Sequence, residues 1–185
     1  MEALHLTVLR DDAAAVTYYE RLVRDAKEPD RDNAIQDLAR SYERADRAQE
    51  AIAQYRKLAE KDGSDGTIQL RLGVLLTRVG ETDAAVAAFR KAEDYYQSAG
   101  RFNALMETLY LHAVAMRRLG QPQKAEPLLD RALEIAMLTE SDRHRCQLLL
   151  EKGIVARLAN DTDQAKIMWQ RHWKLLRRRR WRLPP

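Results

Sequence analysis

Four histidines, His5, His112, His144 and His172, and a single cysteine, Cys146, are the side chains best suited to nucleophilic or metal chemistry in this chain of 185 residues. General acid–base and nucleophilic catalysis need a base within hydrogen-bond reach of a nucleophile, or paired carboxylates in a pocket. The four histidines are scattered without such partners beside them. The run His144-Arg145-Cys146 offers two metal ligands, but nothing nearby completes a tetrahedral set, so a polar turn and a small buried thiol are expected there. The glycines are isolated and explained by turns or close packing, which leaves no phosphate-cradling loop. Hence no catalytic residue, metal or cofactor is assigned, and an enzyme is not expected.

A second chemistry is electrostatic. Residues 171–185 carry Arg171, Lys174, Arg177, Arg178, Arg179, Arg180 and Arg182 with no acid; removing these seven charges from the net +4 leaves residues 1–170 at −3. A basic tail over 177–185, with Trp173 and Trp181 available to stack, suits nucleic acid or an acidic membrane surface. The plainer account is that long arginine stems shield the last face of the fold while their charges stay in water.

Composition sets the elements that must position these groups. Hydrophobic residues make up 45%, charged residues 32% and aromatics 6%, a mixture rich in Ala and Leu that favours helices. One cysteine cannot form an internal disulfide framework, and no apolar run approaches the roughly 18 residues of a membrane span. The opening MEALHLTVLRDD has neither a basic leader nor a long apolar centre, so a reducing cytoplasmic setting is expected.

Self-comparison of the chain gives the organisation. In RLGVLLTRVGETDAAVAAFRKA, Gly73 precedes Ala85 by twelve residues, Phe89 by sixteen and Ala92 by nineteen. The same offsets take Ala39 to Ala51, Tyr55 and Leu58; Ala113 to Ala125, Leu129 and Ala132; and Gly153 to Ala165, Trp169 and His172. Ala3 with Ala15, Tyr19 and Leu22 begins the series in truncated form. Repeats are therefore expected over 32–65, 66–99, 106–139 and 146–179, after a partial unit in 1–31, within a single array over 1–180. The two inserts of six residues, GRFNAL and ESDRHR, lengthen a helix or a turn. Small residues let the two helices of a hairpin approach closely, and each hairpin alone would expose an apolar face.

This stretch is the chain's nearest copy of the pattern L-G-x-x-Y, then A-x-x-x-F-x-x-A, and so resembles the tetratricopeptide repeat, a resemblance that runs from Ala3 to about Leu176. The longer units are similar to the extended repeats of kinesin light chains and some bacterial regulators. The chain departs from the pattern at the fourth slot, where Ile35, Gln69, Leu109 and Leu149 replace a bulky aromatic, and it lacks the usual repeat-ending proline. The resemblance implies an all-α solenoid, a right-handed superhelix of antiparallel helix hairpins. Turns are expected at Gly80, with Thr82 or Asp83 capping the next helix, at Pro122 and at Asn160 and Asp161. Pro127, inside a helix, implies a late start or a bend.

The resemblance also implies where a partner would lie. The inward slots hold Asn33, Gln36, Arg40, Glu43 and Arg44, then Thr67, Leu70, Val74, Thr77 and Arg78. Next come Glu107, Tyr110, Val114, Arg117 and Arg118, then Gln147, Leu150, Ile154, Arg157 and Leu158. Together they imply an apolar strip flanked by arginines, suited to an acidic or amphipathic peptide or partner helix; the plain alternative is a strip covered by neighbouring helices beside a solvated edge. The family's carboxylate clamp for chaperone tails is not matched, since its slots hold Gln36, Arg40, Arg71, Glu107 and Leu111. The expected role is a protein-binding scaffold, adaptor or regulatory module. The alternatives are binding of nucleic acid or an acidic surface through the tail, and a peptide-sensing segment of a larger regulatory protein. Self-association through exposed terminal repeats is a further expectation.

Overall fold

A computed structural model describes residues 12–27, 30–63 and 65–180, the side chains of 178–180 excepted. The histidine His5 and the expected first small residue, Ala3, lie outside these residues, as does Arg182. Every element among the described residues is an α-helix: α1 (Asp12–Asp25), α2 (Asp30–Arg44), α3 (Ala48–Lys61), α4 (Gly66–Val79), α5 (Thr82–Ser98), α6 (Phe102–Arg118), α7 (Pro122–Leu138), α8 (Asp142–Leu158) and α9 (Thr162–Arg180). The chain divides into two compact units, Met1–Ala92 and Glu93–Pro185.

In the first unit α1 packs on α2, α2 on α3 and α3 on α4. Its core joins Ile35, Leu38, Ile52, Tyr55, Leu72 and Leu75 with the small residues Ala39, Ala51 and Ala85. The close approach anticipated at Gly73 is direct: a Cβ there would lie 3.0 Å from the Phe89 ring. In the second unit α6 packs on α7, α7 on α8 and α8 on α9, while α6 also touches α8. Ala113, Ala125, Leu129 and Ala132 are fully buried there. Burial of these faces is the main stabilising term, since helices of this length are marginal alone.

One turn design recurs. Gly80, Gly100, Gly120, Asp46, Glu140 and Asn160 all have positive φ just past a helix end. In each case the following N–H reaches back to a carbonyl five residues earlier, as from Arg47 to Tyr42, Glu81 to Leu76 and Ser141 to Ala136. This is the Schellman stop, and glycine fits its left-handed position without cost from a Cβ. The inserted residues went into the helices: α5 to α8 each have 17 residues, whereas α3 and α4 have 14. Pro122 opens α7, and the helix continues through Pro127, so the expected late start does not occur. Asp161 caps α9, its carboxylate accepting from the Gln164 N–H at 2.9 Å.

The Lys61–Gly66 connection differs and explains the departure at Gln69. Asp65 caps α4 by accepting from the Thr67 and Ile68 N–H groups at 2.8 and 3.4 Å. Gln69 is buried and donates its amide to the Gly63 carbonyl at 3.1 Å. A hydrophobic ring at this slot would leave that turn carbonyl without its donor.

Candidate functional site

The inward slots separate by burial and by pairing. On α4, Leu70 and Val74 stand one turn apart and are half-buried, and Arg78 follows on the same line. Thr77 is buried, its hydroxyl donating to the Gly73 carbonyl at 2.7 Å, so it belongs to the helix interior and not to a contact face. Arg78 is engaged by Asp46. Arg40 reaches Asp37 at 3.3 Å, and Arg44 lies 3.6 Å from Asp12. The Glu43 carboxylate accepts from the Tyr55 hydroxyl at 2.6 Å and sits 3.5 Å from Arg71. The cationic edge of the first unit is therefore largely matched by its own acids.

The second unit presents a different face. Tyr110 and Val114 are half-buried on α6. On α8, Leu150 and Leu158 are 43% and 50% exposed, and Ile154 lies between them one turn from each. Arg117 of α6 donates to Glu151 of α8, a carboxylate that is only 5% exposed, and this pair ties the two helices together beside Leu150. Arg118 and Arg157 are exposed, and among the described residues neither has an ion-pair partner. Apolar side chains spaced i, i+4, i+8 lie on one face of α8 and form a surface that water solvates poorly.

The histidines have partners that their sequence spacing conceals. His112 Nδ1 lies 2.7 Å from Glu93 Oε1, with both side chains buried, and Arg131 donates to the second Glu93 oxygen at 3.1 Å. The expectation that no histidine has a nucleophile or carboxylate beside it is thus corrected at His112, by the Glu93 carboxylate, and at His144, by the Ser141 hydroxyl. His144 Nδ1 lies 2.6 Å from the Ser141 hydroxyl, and His172 donates to the Cys146 carbonyl at 2.8 Å. These contacts stitch helices and caps. Among the described residues no group of three or more His, Cys, Asp or Glu side chains is placed to hold a metal ion. The only sequence signal for the buried pairs is register: His112 precedes the packed Ala113, and Glu151 sits two residues before the packed Gly153.

Two phenols respond to the same packing. Burial and the hydrogen bond to Glu20 push the Tyr42 hydroxyl up to about 12. Burial and the bond to Glu43 raise Tyr55 as well. Arg177 is exposed on α9, while the side chains of Arg178, Arg179 and Arg180 lie outside those described. No helix among the described residues is long and apolar enough to cross a membrane.

These helix hairpins, joined by one recurring turn and packed through small residues, define an all-α repeat protein of the solenoid class. A family model for the tetratricopeptide repeat matches residues 33–64. BtubC (BKLC) from P. vanneervenii has a similar structure, with TM-score 0.83 and 18% identity, covering 99% of this chain and 80% of that one. So do nearly identical TPR-like repeats assigned to a kinesin light chain candidate of Podosopora anserina, with TM-score 0.81, 19% identity and coverage of 94% and 91%. MamA 41-end from Desulfovibrio magneticus RS-1 follows with TM-score 0.73, 14% identity and coverage of 95% and 91%. No curated protein matches the chain by sequence. At these identities the likeness shows the fold alone; repeats of this family are in general non-enzymatic interaction modules.

Proposed function

We propose that the chain is a protein-interaction module, a scaffold or adaptor, that holds an acidic amphipathic partner segment against the inner face of α6 and α8. The observation that carries this is the line of exposed Leu150, half-buried Ile154 and exposed Leu158, with Arg118 and Arg157 exposed and, among the described residues, without an acidic partner. Tyr110 and Val114 extend the apolar surface, and Arg117, tied to Glu151, fixes the spacing of the two helices. A partner helix would set its apolar residues along the line and its carboxylates at the two arginines. The first unit offers Leu70 and Val74 for a weaker contact, because Arg40, Arg44 and Arg78 already meet Asp37, Asp12 and Asp46.

The test is titration of a fluorescent amphipathic peptide bearing Glu on one face. Arg118→Glu with Arg157→Glu weakens capture by about tenfold or more, about 1.4 kcal/mol, while helical content is unchanged. Charge reversal at Arg78 has a smaller effect, since it removes a guanidinium already matched by Asp46. Equal affinity of the double variant and the parent protein sinks the proposal.

A further inference from the structure

A second surface of the same unit has the make-up of a small-molecule site. The end of α7, the start of α8 and the later part of α9 enclose an open pocket of about 320 Å³. Its apolar lining is Leu133 and the half-exposed Met137 from α7, Leu149 from α8 and Leu175 from α9. Its rim carries Arg171 and Lys174, joined by Arg145, whose guanidinium also meets Asp142 at 3.1 Å. Among the described residues no carboxylate lines the pocket, and Arg171 and Lys174 have no ion-pair partner. None of these side chains belongs to the inner-face line of Leu150, Ile154 and Leu158.

We infer that this pocket binds a small amphiphilic carboxylate, with the apolar chain on these four apolar side chains and the carboxylate between Arg171 and Lys174. Charge decides the head group, because two exposed cations with no acid beside them attract an anion and gain hydrogen bonds from it. The walls decide the body. Leu133, Met137, Leu149 and Leu175 offer apolar contact and no hydrogen-bonding side chain, so a peptide's amides would be desolvated against them unpaired. An alkyl chain has no such groups. The volume is at the lower end of the roughly 300–1,000 Å³ of small-molecule sites, which favours a single medium-length chain.

Calorimetric titration of the whole protein with decanoate, below its micellar range, tests this against decanol and butyrate. Decanoate binds saturably at one site, and decanol and butyrate each bind at least tenfold more weakly. Arg171→Glu with Lys174→Glu abolishes decanoate binding; both residues are exposed, and Arg171→Gln with Lys174→Gln gives a milder second variant that lowers it at least fivefold. Arg118→Glu with Arg157→Glu leaves decanoate binding unchanged, which separates this site from the proposed partner face. Decanol as tight as decanoate, butyrate as tight as decanoate, or retention of affinity in both rim variants overturns the assignment. Displacement of decanoate by the acidic amphipathic peptide overturns it too, since the pocket would then be part of the peptide site.

Discussion

Glu93 and His112 meet 2.7 Å apart in the second unit, with 6% and 5% of their surfaces exposed. A buried carboxylate is tolerated only while its oxygens have partners, and Glu93 uses one for His112 and the other for Arg131. Removing the central acid leaves both partners without it, whereas removing the half-exposed guanidinium lets water take its place. Glu93→Ala is therefore expected to cost about 3 kcal/mol and Arg131→Ala about 1 kcal/mol or less. Urea denaturation of the two variants checks the order, and equal small losses would show that the pair contributes little.

The second prediction concerns packing at the repeat's small slot. A Cβ on Gly153 would fall inside the indole of Trp169, whereas one on Gly73 would touch Phe89 at 3.0 Å. Alanine gains about 1 kcal/mol of helix propensity over glycine at either site. At Gly153 the ring must move, and overpacking of this kind costs about 1–3 kcal/mol. Gly153→Ala is expected to destabilise, and Gly73→Ala to do so less. Adding Trp169→Leu to Gly153→Ala should recover part of the loss; additive losses in the double variant would refute the steric account.

The fold was legible because its determinants repeat. Gly73, Ala85, Phe89 and Ala92 are spaced by helix geometry, so each recurrence in the chain reinforces the others. Gln69 was not legible, because its partner is the backbone carbonyl of Gly63 in a turn that departs from the common design. The arginine-flanked face was legible only as a set of positions. Which arginines are matched depends on acids 32 and 34 residues away, Asp46 for Arg78 and Glu151 for Arg117, and no local pattern links them. The burial of Thr77 was not legible for a related reason: its hydroxyl turns back to the Gly73 carbonyl of its own helix.

The recurring turns yield a third prediction. Glu140 occupies a left-handed position at φ 51°, where Gly100 and Gly120 stand in the neighbouring connections. A side chain at that position costs roughly 1 kcal/mol, less for asparagine. Glu140→Gly should raise stability by about 1 kcal/mol, or about 2–4 °C in Tm for a chain of this size. Asn160→Gly should change it by only a few tenths of a kcal/mol. Gly120→Ala, the reverse change, should lower it by about 1 kcal/mol. Calorimetric melting of the three variants provides the comparison, and a fall in Tm for Glu140→Gly would contradict it.

Two tyrosines make stability depend on alkaline pH. Tyr42 donates to Glu20 at 2.7 Å, linking α2 to α1, and Tyr55 donates to Glu43 at 2.6 Å, linking α3 to α2. Their folded-state values lie above the ordinary value of 10, at about 12 for Tyr42, mainly through burial and then through the carboxylate bond. As pH rises past 10 the unfolded chain loses these protons while the folded chain keeps them, so the folded state binds more protons and loses stability with rising pH. The contribution is fully present below about pH 10 and is lost as pH passes through about 12 at Tyr42. Tyr42→Phe with Tyr55→Phe loses about 1 kcal/mol per hydrogen bond at neutral pH, but its urea midpoint should fall less between about pH 8 and about pH 11.5 than the parent's. Parallel declines of the two proteins over that range would mean that other groups govern the alkaline limb. A smaller decline in the variant assigns it to the phenols that tie α1 and α3 to α2.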